Sequence, residues 1–165
     1  MKVSIGAMMN STLLAPAGMM VSLVTILIAS AKGWNRPKGP TTFGPLRSCI
    51  AAMTLRSASV RKAIATSSAR ELVVACLKPF DMQRRFRFIL AAEDIVHGKP
   101  HPEIYLTAAE RLGIEPEEML VLEDSHAGTT AAVSARAVVI SVPNDHSRYQ
   151  DFSHARGIAS RLDDA

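Results

Sequence analysis

The chain is predicted to be an α/β protein, with a Rossmann-like parallel sheet covered by helices on both faces over residues 59–165 and an irregular N-terminal segment, 1–58. Three observations predict it. From Val60 onward, short apolar runs alternate with stretches of helical period, in the order β-α-β-α-β-α-β. The apolar runs are continuous, which is how strands buried on both faces read. Proline and glycine punctuate them, at Pro79, Pro102, Gly113 and Pro143.

The elements follow in order. "VRKAIATSS", 60–68, is a β-prone run that ends in hydroxyls. Ser68 is placed to cap the next helix, with Glu71 completing a capping box and Leu72, Val73 and Cys76 facing inward. "FRFILAA", 86–92, is the second strand, and "EDIVHGKPHP" is a loop. Pro102 opens a helix whose Ile104, Tyr105, Ala108, Ala109 and Leu112 form one apolar face, with Gly113 as a natural residue to end it. "MLVLED", 119–124, is an apolar strand ending in two acids. Thr129 to Arg136 reads as an Ala-rich helix, and "AVVISVP", 137–143, as one more strand. The remainder is polar, with a short helix expected near Phe152.

At 165 residues and 48% hydrophobic content the chain suits one domain with a real core. Its net charge of +4 hides a split. Residues 1–80 carry ten Lys and Arg against one acid, Glu71; residues 81–165 carry nine against fourteen. The basic balance therefore describes no single surface. No stacking aromatics interleave the basic residues, so nucleic acid is not expected as a partner. Cys49 and Cys76 are far apart and lack zinc-ligand spacing, which fits two inert thiols in a reduced, cytoplasmic compartment.

Leu13 to Ala31 has no charge for nineteen residues. Its length just suffices for a membrane span, though Pro16 and Gly18 argue against one. It also admits a signal peptide, an organelle transit peptide, a buried strand or non-native text. A membrane location is not the expectation, and oligomeric state leaves no mark on the sequence.

The chemistry-bearing residues fall at predicted strand ends. In a parallel α/β sheet ligands sit beyond the carboxyl ends of the strands, which brings Thr66, Ser67, Glu123 and Asp124 to one rim, with the loop of Lys99 reaching it. Adjacent carboxylates such as Glu123 and Asp124 suit magnesium, which takes one or two protein carboxylates and fills its shell with water and phosphate oxygens. Equally, acids favour helix starts. Thr66 and Ser67 precede a helix N-terminus and suit a phosphate, or simply cap it. Lys99, in a turn stiffened by Pro100 and Pro102, can neutralise phosphate charge; a lone loop lysine is more often only solvated. His97, His101 and His126 read as surface or structural histidines.

Together the three clusters are more specific than any alone. "AIATSS", "HGKPHPEIYLTAAERLGI" and "VLEDSHAGTTAA", in this order over residues 60–155, resemble the haloacid dehalogenase-like hydrolase superfamily, in its β-phosphoglucomutase and phosphoglycolate phosphatase branch. The resemblance implies a partial core of that fold and a magnesium-dependent phosphatase or phosphomutase acting on a small phosphorylated metabolite. It implies Thr66 and Lys99 as catalytic and phosphate-binding residues, Ser67 as a further phosphate contact, and Glu123 and Asp124 as Mg2+ ligands. Where the family usually reads Ala-Gly, this chain has Ala135-Arg136.

The family's aspartate nucleophile, from a "DxDGT" motif on the first strand, has no counterpart, because no Asp occurs before Asp81. Nor is the helical cap recognisable in residues 1–58. Low or no activity is expected, with a non-catalytic phosphate-ester-binding protein or regulatory fragment as the alternative. The missing strand would leave a gap between the strands ending at Thr66 and at Glu123. Either Met20 to Ser30, rich in β-branched residues, fills it, or residues 1–58 are a mis-framed start, the reading that their lack of acids favours.

Overall fold

The computed structural model describes residues 61–160 and, by its backbone, the strand at 25–29. Six strands form one sheet: β1 (Thr25–Ala29), β2 (Arg61–Ala65), β3 (Ile89–Leu90), β4 (Met119–Glu123), β5 (Val138–Ser141) and β6 (Gly157–Ile158). Their spatial order is β3-β2-β1-β4-β5-β6. Three helices accompany them: α1 (Arg70–Leu77), α2 (Glu103–Leu112) and α3 (His126–Ser134).

Five strands run parallel, the four predicted and the short β6. β1 is the exception. It occupies the slot between β2 and β4, where the Met20–Ser30 alternative puts a strand, but pairs antiparallel with both. Its register sets Thr25 opposite Ala65 and Ile26 opposite Leu122. The N-terminal end of β1 thus lies at the rim where its neighbours end. The central ladder closes in either direction, and the β-branched "TILI" run suits both. The rest of Leu13–Ala31, with residues 1–24 and 30–60 as a whole, lies outside the described residues. Among the described residues no helix is long and apolar enough to cross a membrane.

Side chains alternate along β2 and β4, so each of these strands feeds two cores. On β2 and β4, Ala63, Ala65, Met119 and Val121 pack with Ile104, Tyr105, Ala108 and Leu112 of α2 and with Ala131 and Ala132 of α3. Ile64, Leu120 and Leu122 point the other way, onto Val73 and Leu77 of α1 and onto Met82. Helices therefore cover both faces, and all five residues of β4 are buried.

Some local expectations are corrected. Ser68 does not cap α1; Ala69 holds that position and makes no side-chain cap bond. Instead the Arg70 N–H donates to the Glu93 carboxylate from the loop after β3 (3.3 Å), and no capping box forms with Glu71. A tertiary partner supplied what the local motif would have. The strand expected over 86–92 is reduced to Ile89–Leu90. No helix forms near Phe152; that side chain is buried, and the chain continues to the short β6, too brief to leave a periodic signal. α3 begins earlier than expected because the Ser125 hydroxyl accepts from the Gly128 N–H (3.1 Å) and caps it.

α2 and α3 end alike. In each, two backbone N–H groups just past the helix turn back onto its last carbonyls. Gly113 supplies the left-handed residue for α2, at φ 64°. Arg136 does so for α3, at φ 66°. The departure from Ala-Gly at 135–136 is thus accommodated in the geometry that glycine favours.

Candidate active site

The carboxyl ends of β2 and β4 and the turn before α2 bring Thr66, Lys99, Glu123 and Asp124 into buried positions. Pairing of β2 with β3 fixes Thr66, whose N–H donates to the Leu90 carbonyl (2.9 Å). Its hydroxyl oxygen accepts from the Ser68 N–H (3.1 Å). Ser67, the next residue, is exposed.

Glu123 is the hub. Its Oε1 accepts from Lys99 Nζ (2.6 Å) and from the Tyr105 hydroxyl (3.0 Å). Its Oε2 accepts from the backbone N–H groups of Asp124 and Ser125 (both 2.8 Å) and from the Ser125 hydroxyl (2.9 Å). The last three groups belong to the start of α3, where the helix dipole favours an anion. Gly128 lets the carboxylate lie there: a Cβ at that position would fall 1.9 Å from Oε1 and 2.4 Å from Oε2. Lys99 Nζ also sits 5.1 Å from the centre of the Tyr105 ring.

Asp124 is held differently. Its Oδ2 accepts from Asn144 Nδ2 (3.0 Å), and Asn144 Oδ1 in turn accepts from the N–H groups of His146 and Ser147. Burial, and then the neighbouring Glu123 charge, raises the Asp124 carboxyl to about 7, against an opposing pull from Lys99. A buried carboxylate that resists ionisation, beside a saturated one, suits a site that gains a cation. That donor set fits magnesium, which needs few protein ligands. Among the described residues, however, no third acid or imidazole joins Glu123 and Asp124.

The turn that carries Lys99 is anchored by Glu103, the first residue of α2. Its carboxylate accepts from the N–H groups of Val96 (2.7 Å) and His97 (2.9 Å) and contacts His97 Nδ1 (2.7 Å). These bonds hold the Glu103 carboxyl near 2. The His101 N–H donates to the Gly98 carbonyl and closes the turn (3.0 Å). His126 is structural, as expected: its N–H donates to Gln150 Oε1 and its Nδ1 contacts the Asp151 carbonyl.

Sequence reasoning missed Tyr105, Gly128, Asn144 and Glu103. Tyr105 was one of five apolar positions on its helix, with nothing to mark its hydroxyl. A glycine inside the helix after an acidic strand end was the available signal for Gly128, since it weakens the helix unless something needs the space.

A family model for haloacid dehalogenase-like hydrolases matches residues 41–136. The chain belongs to this family. The match to the haloacid dehalogenase-like model begins inside the 1–58 segment. A phosphorylated carbohydrates phosphatase of Thermotoga maritima is 37% identical over 81 residues, covering 49% of this chain and 38% of that protein. Hexitol phosphatase B of Escherichia coli is 36% identical over 80 residues, covering 48% and 36%. Among solved structures, CbbY of Rhodobacter sphaeroides in complex with phosphate aligns at TM-score 0.64 and 28% identity, covering 73% of this chain and 54% of that one. The β-phosphoglucomutase of Clostridium difficile aligns at 0.52 and 28%, covering 60% and 43%. The chain thus spans less than half the length of these curated relatives.

Proposed function

We propose that the described core is the phosphate- and magnesium-binding half of a sugar-phosphate phosphatase or phosphomutase, and that this chain binds such a ligand without turning it over. The observation that carries the reading is the split between the two adjacent acids. Glu123 has both oxygens engaged by Lys99, Tyr105 and the start of α3, whereas the Asp124 carboxyl accepts from Asn144, meets its own N–H and the Glu123 side chain, and resists ionisation. Asp124 is then the residue to hold Mg2+, and Glu123 the residue that fixes Lys99, in place of the paired ligand role expected from sequence. Bound there, magnesium would offset the charge of a phosphate group.

The remaining steps belong to the protein's own groups. Lys99, held in place by Glu123, draws a phosphate oxygen toward the rim. The Thr66 hydroxyl, accepting from Ser68, has its proton to donate to another phosphate oxygen. Ser67, exposed beside it, is a further contact. Attack on phosphorus in this family needs an aspartate nucleophile, and the sequence of the central strand, Thr-Ile-Leu-Ile-Ala, contains none. Relatives of matching sequence act on phosphorylated carbohydrates and hexitol phosphates by name, which supports a small phosphorylated sugar or polyol as ligand.

Release of inorganic phosphate from an aryl phosphate and from hexose phosphates, with magnesium, tests the lack of turnover. The expected rate matches that of the Asp124→Ala variant. Magnesium-dependent turnover that Asp124→Ala abolishes would overturn the reading and require another nucleophile.

A further inference from the structure

A second cluster of ligating groups flanks Lys99 in sequence but faces solvent. The side chains of His97 and His101 are 63% and 51% exposed, while Lys99 between them is 8% exposed. The two imidazole rings lie 4.6 Å apart at 37°. Both approach one oxygen of Glu103: His97 Nδ1 at 2.7 Å from Oε2 and His101 Nδ1 at 3.9 Å. One ligand atom from each of the three lies within 4.8 Å of the others.

We propose that His97, His101 and Glu103 bind a borderline transition-metal cation of the zinc class, at a site separate from Asp124. Two imidazoles and one carboxylate make a donor set suited to such ions and unsuited to magnesium, which prefers oxygen. Ligands about 2.0–2.1 Å from a tetrahedral ion stand roughly 3.3 Å apart, so closure of the widest pair by up to about 1.5 Å, with the 2.7 Å His97–Glu103 contact opening slightly, completes the set, with water in the open position. Three features favour that closure. Glu103 is fixed by backbone N–H groups of Val96 and His97, an outer shell that orients the carboxylate. Pro100 and Pro102 restrict φ on both sides of His101, which limits the entropy lost when its ring is ordered. Exposure lets the ion enter without desolvating a buried pocket. The bound ion would clamp the turn from which Lys99 reaches Glu123.

Calorimetric titration of zinc chloride into the full chain tests this, with magnesium chloride as control. The His101→Ala and His97→Ala variants remove one ligand each from exposed positions, and Asp124→Asn disables the other candidate site. One zinc per chain is expected in the wild type and in Asp124→Asn, with affinity reduced about tenfold or more in both histidine variants. Zinc binding unchanged in the histidine variants, or absent from the wild type, would overturn the proposal.

Discussion

Lys99 and Glu123 form a buried ion pair, Nζ to Oε1 at 2.6 Å, with side chains 8% and 1% exposed. The two partners are not equivalent. Glu123 has a full set of further donors from Tyr105, Asp124 and Ser125. Glu123→Gln removes the charge at the centre of all these bonds, the one to Lys99 included, and a loss of about 3–5 kcal/mol is expected. Lys99→Met keeps the carboxylate's other bonds and should cost less. Urea unfolding of both variants checks the order; equal losses would contradict it.

Gly128 is constrained by the same carboxylate. In a helix interior, Gly→Ala ordinarily stabilises by about 1 kcal/mol. Here the new Cβ would meet Glu123 at 1.9–2.4 Å. Gly128→Ala should therefore destabilise, by about 2 kcal/mol net, as Glu123 is displaced from the α3 start. A raised melting temperature in this variant would show that the carboxylate lies elsewhere.

Arg136 predicts the opposite sign. It adopts φ 66° at the end of α3, and its Nε lies 3.0 Å from Glu117 Oε1 in a pair whose side chains are 76% and 31% exposed. An exposed pair contributes roughly 0–1 kcal/mol, while a left-handed conformation costs a non-glycine residue about 1–2. Arg136→Gly is expected to be neutral or to stabilise the protein by up to about 1 kcal/mol, read from the urea midpoint.

Much of the fold was legible because β4 and its flanks are locally consistent: a continuous apolar run, preceded by a helix with one apolar face and a glycine stop at Gly113. The rim positions of Thr66 and Glu123 followed from strand direction alone. The direction of β1 did not, because a short β-branched run pairs either way. Nor did the division between Glu123 and Asp124. Side by side in sequence they look like one pair, but successive residues at a strand end point in different directions, one toward Lys99 and α3, the other toward Asn144.

Asp124, raised to about 7 by burial and the Glu123 charge, makes the site pH-dependent. Between about pH 4, where the unfolded carboxyl ionises, and pH 7, the folded chain holds the extra proton. In chelator, its contribution to stability is thus fully present below about pH 4 and is lost as pH rises through 7. Magnesium competes with that proton, so its apparent affinity should fall about tenfold per unit below pH 7. Asp124→Asn should flatten the stability profile over the same range; an unchanged profile would assign the titration to another group.

The most direct measurement is calorimetric titration of inorganic phosphate into the full chain at saturating magnesium. If Thr66, Lys99 and Asp124 form a phosphate site on this core, one phosphate binds per chain, and binding is lost with chelator and in Lys99→Met. Absence of binding, or binding indifferent to both magnesium and Lys99, would contradict it.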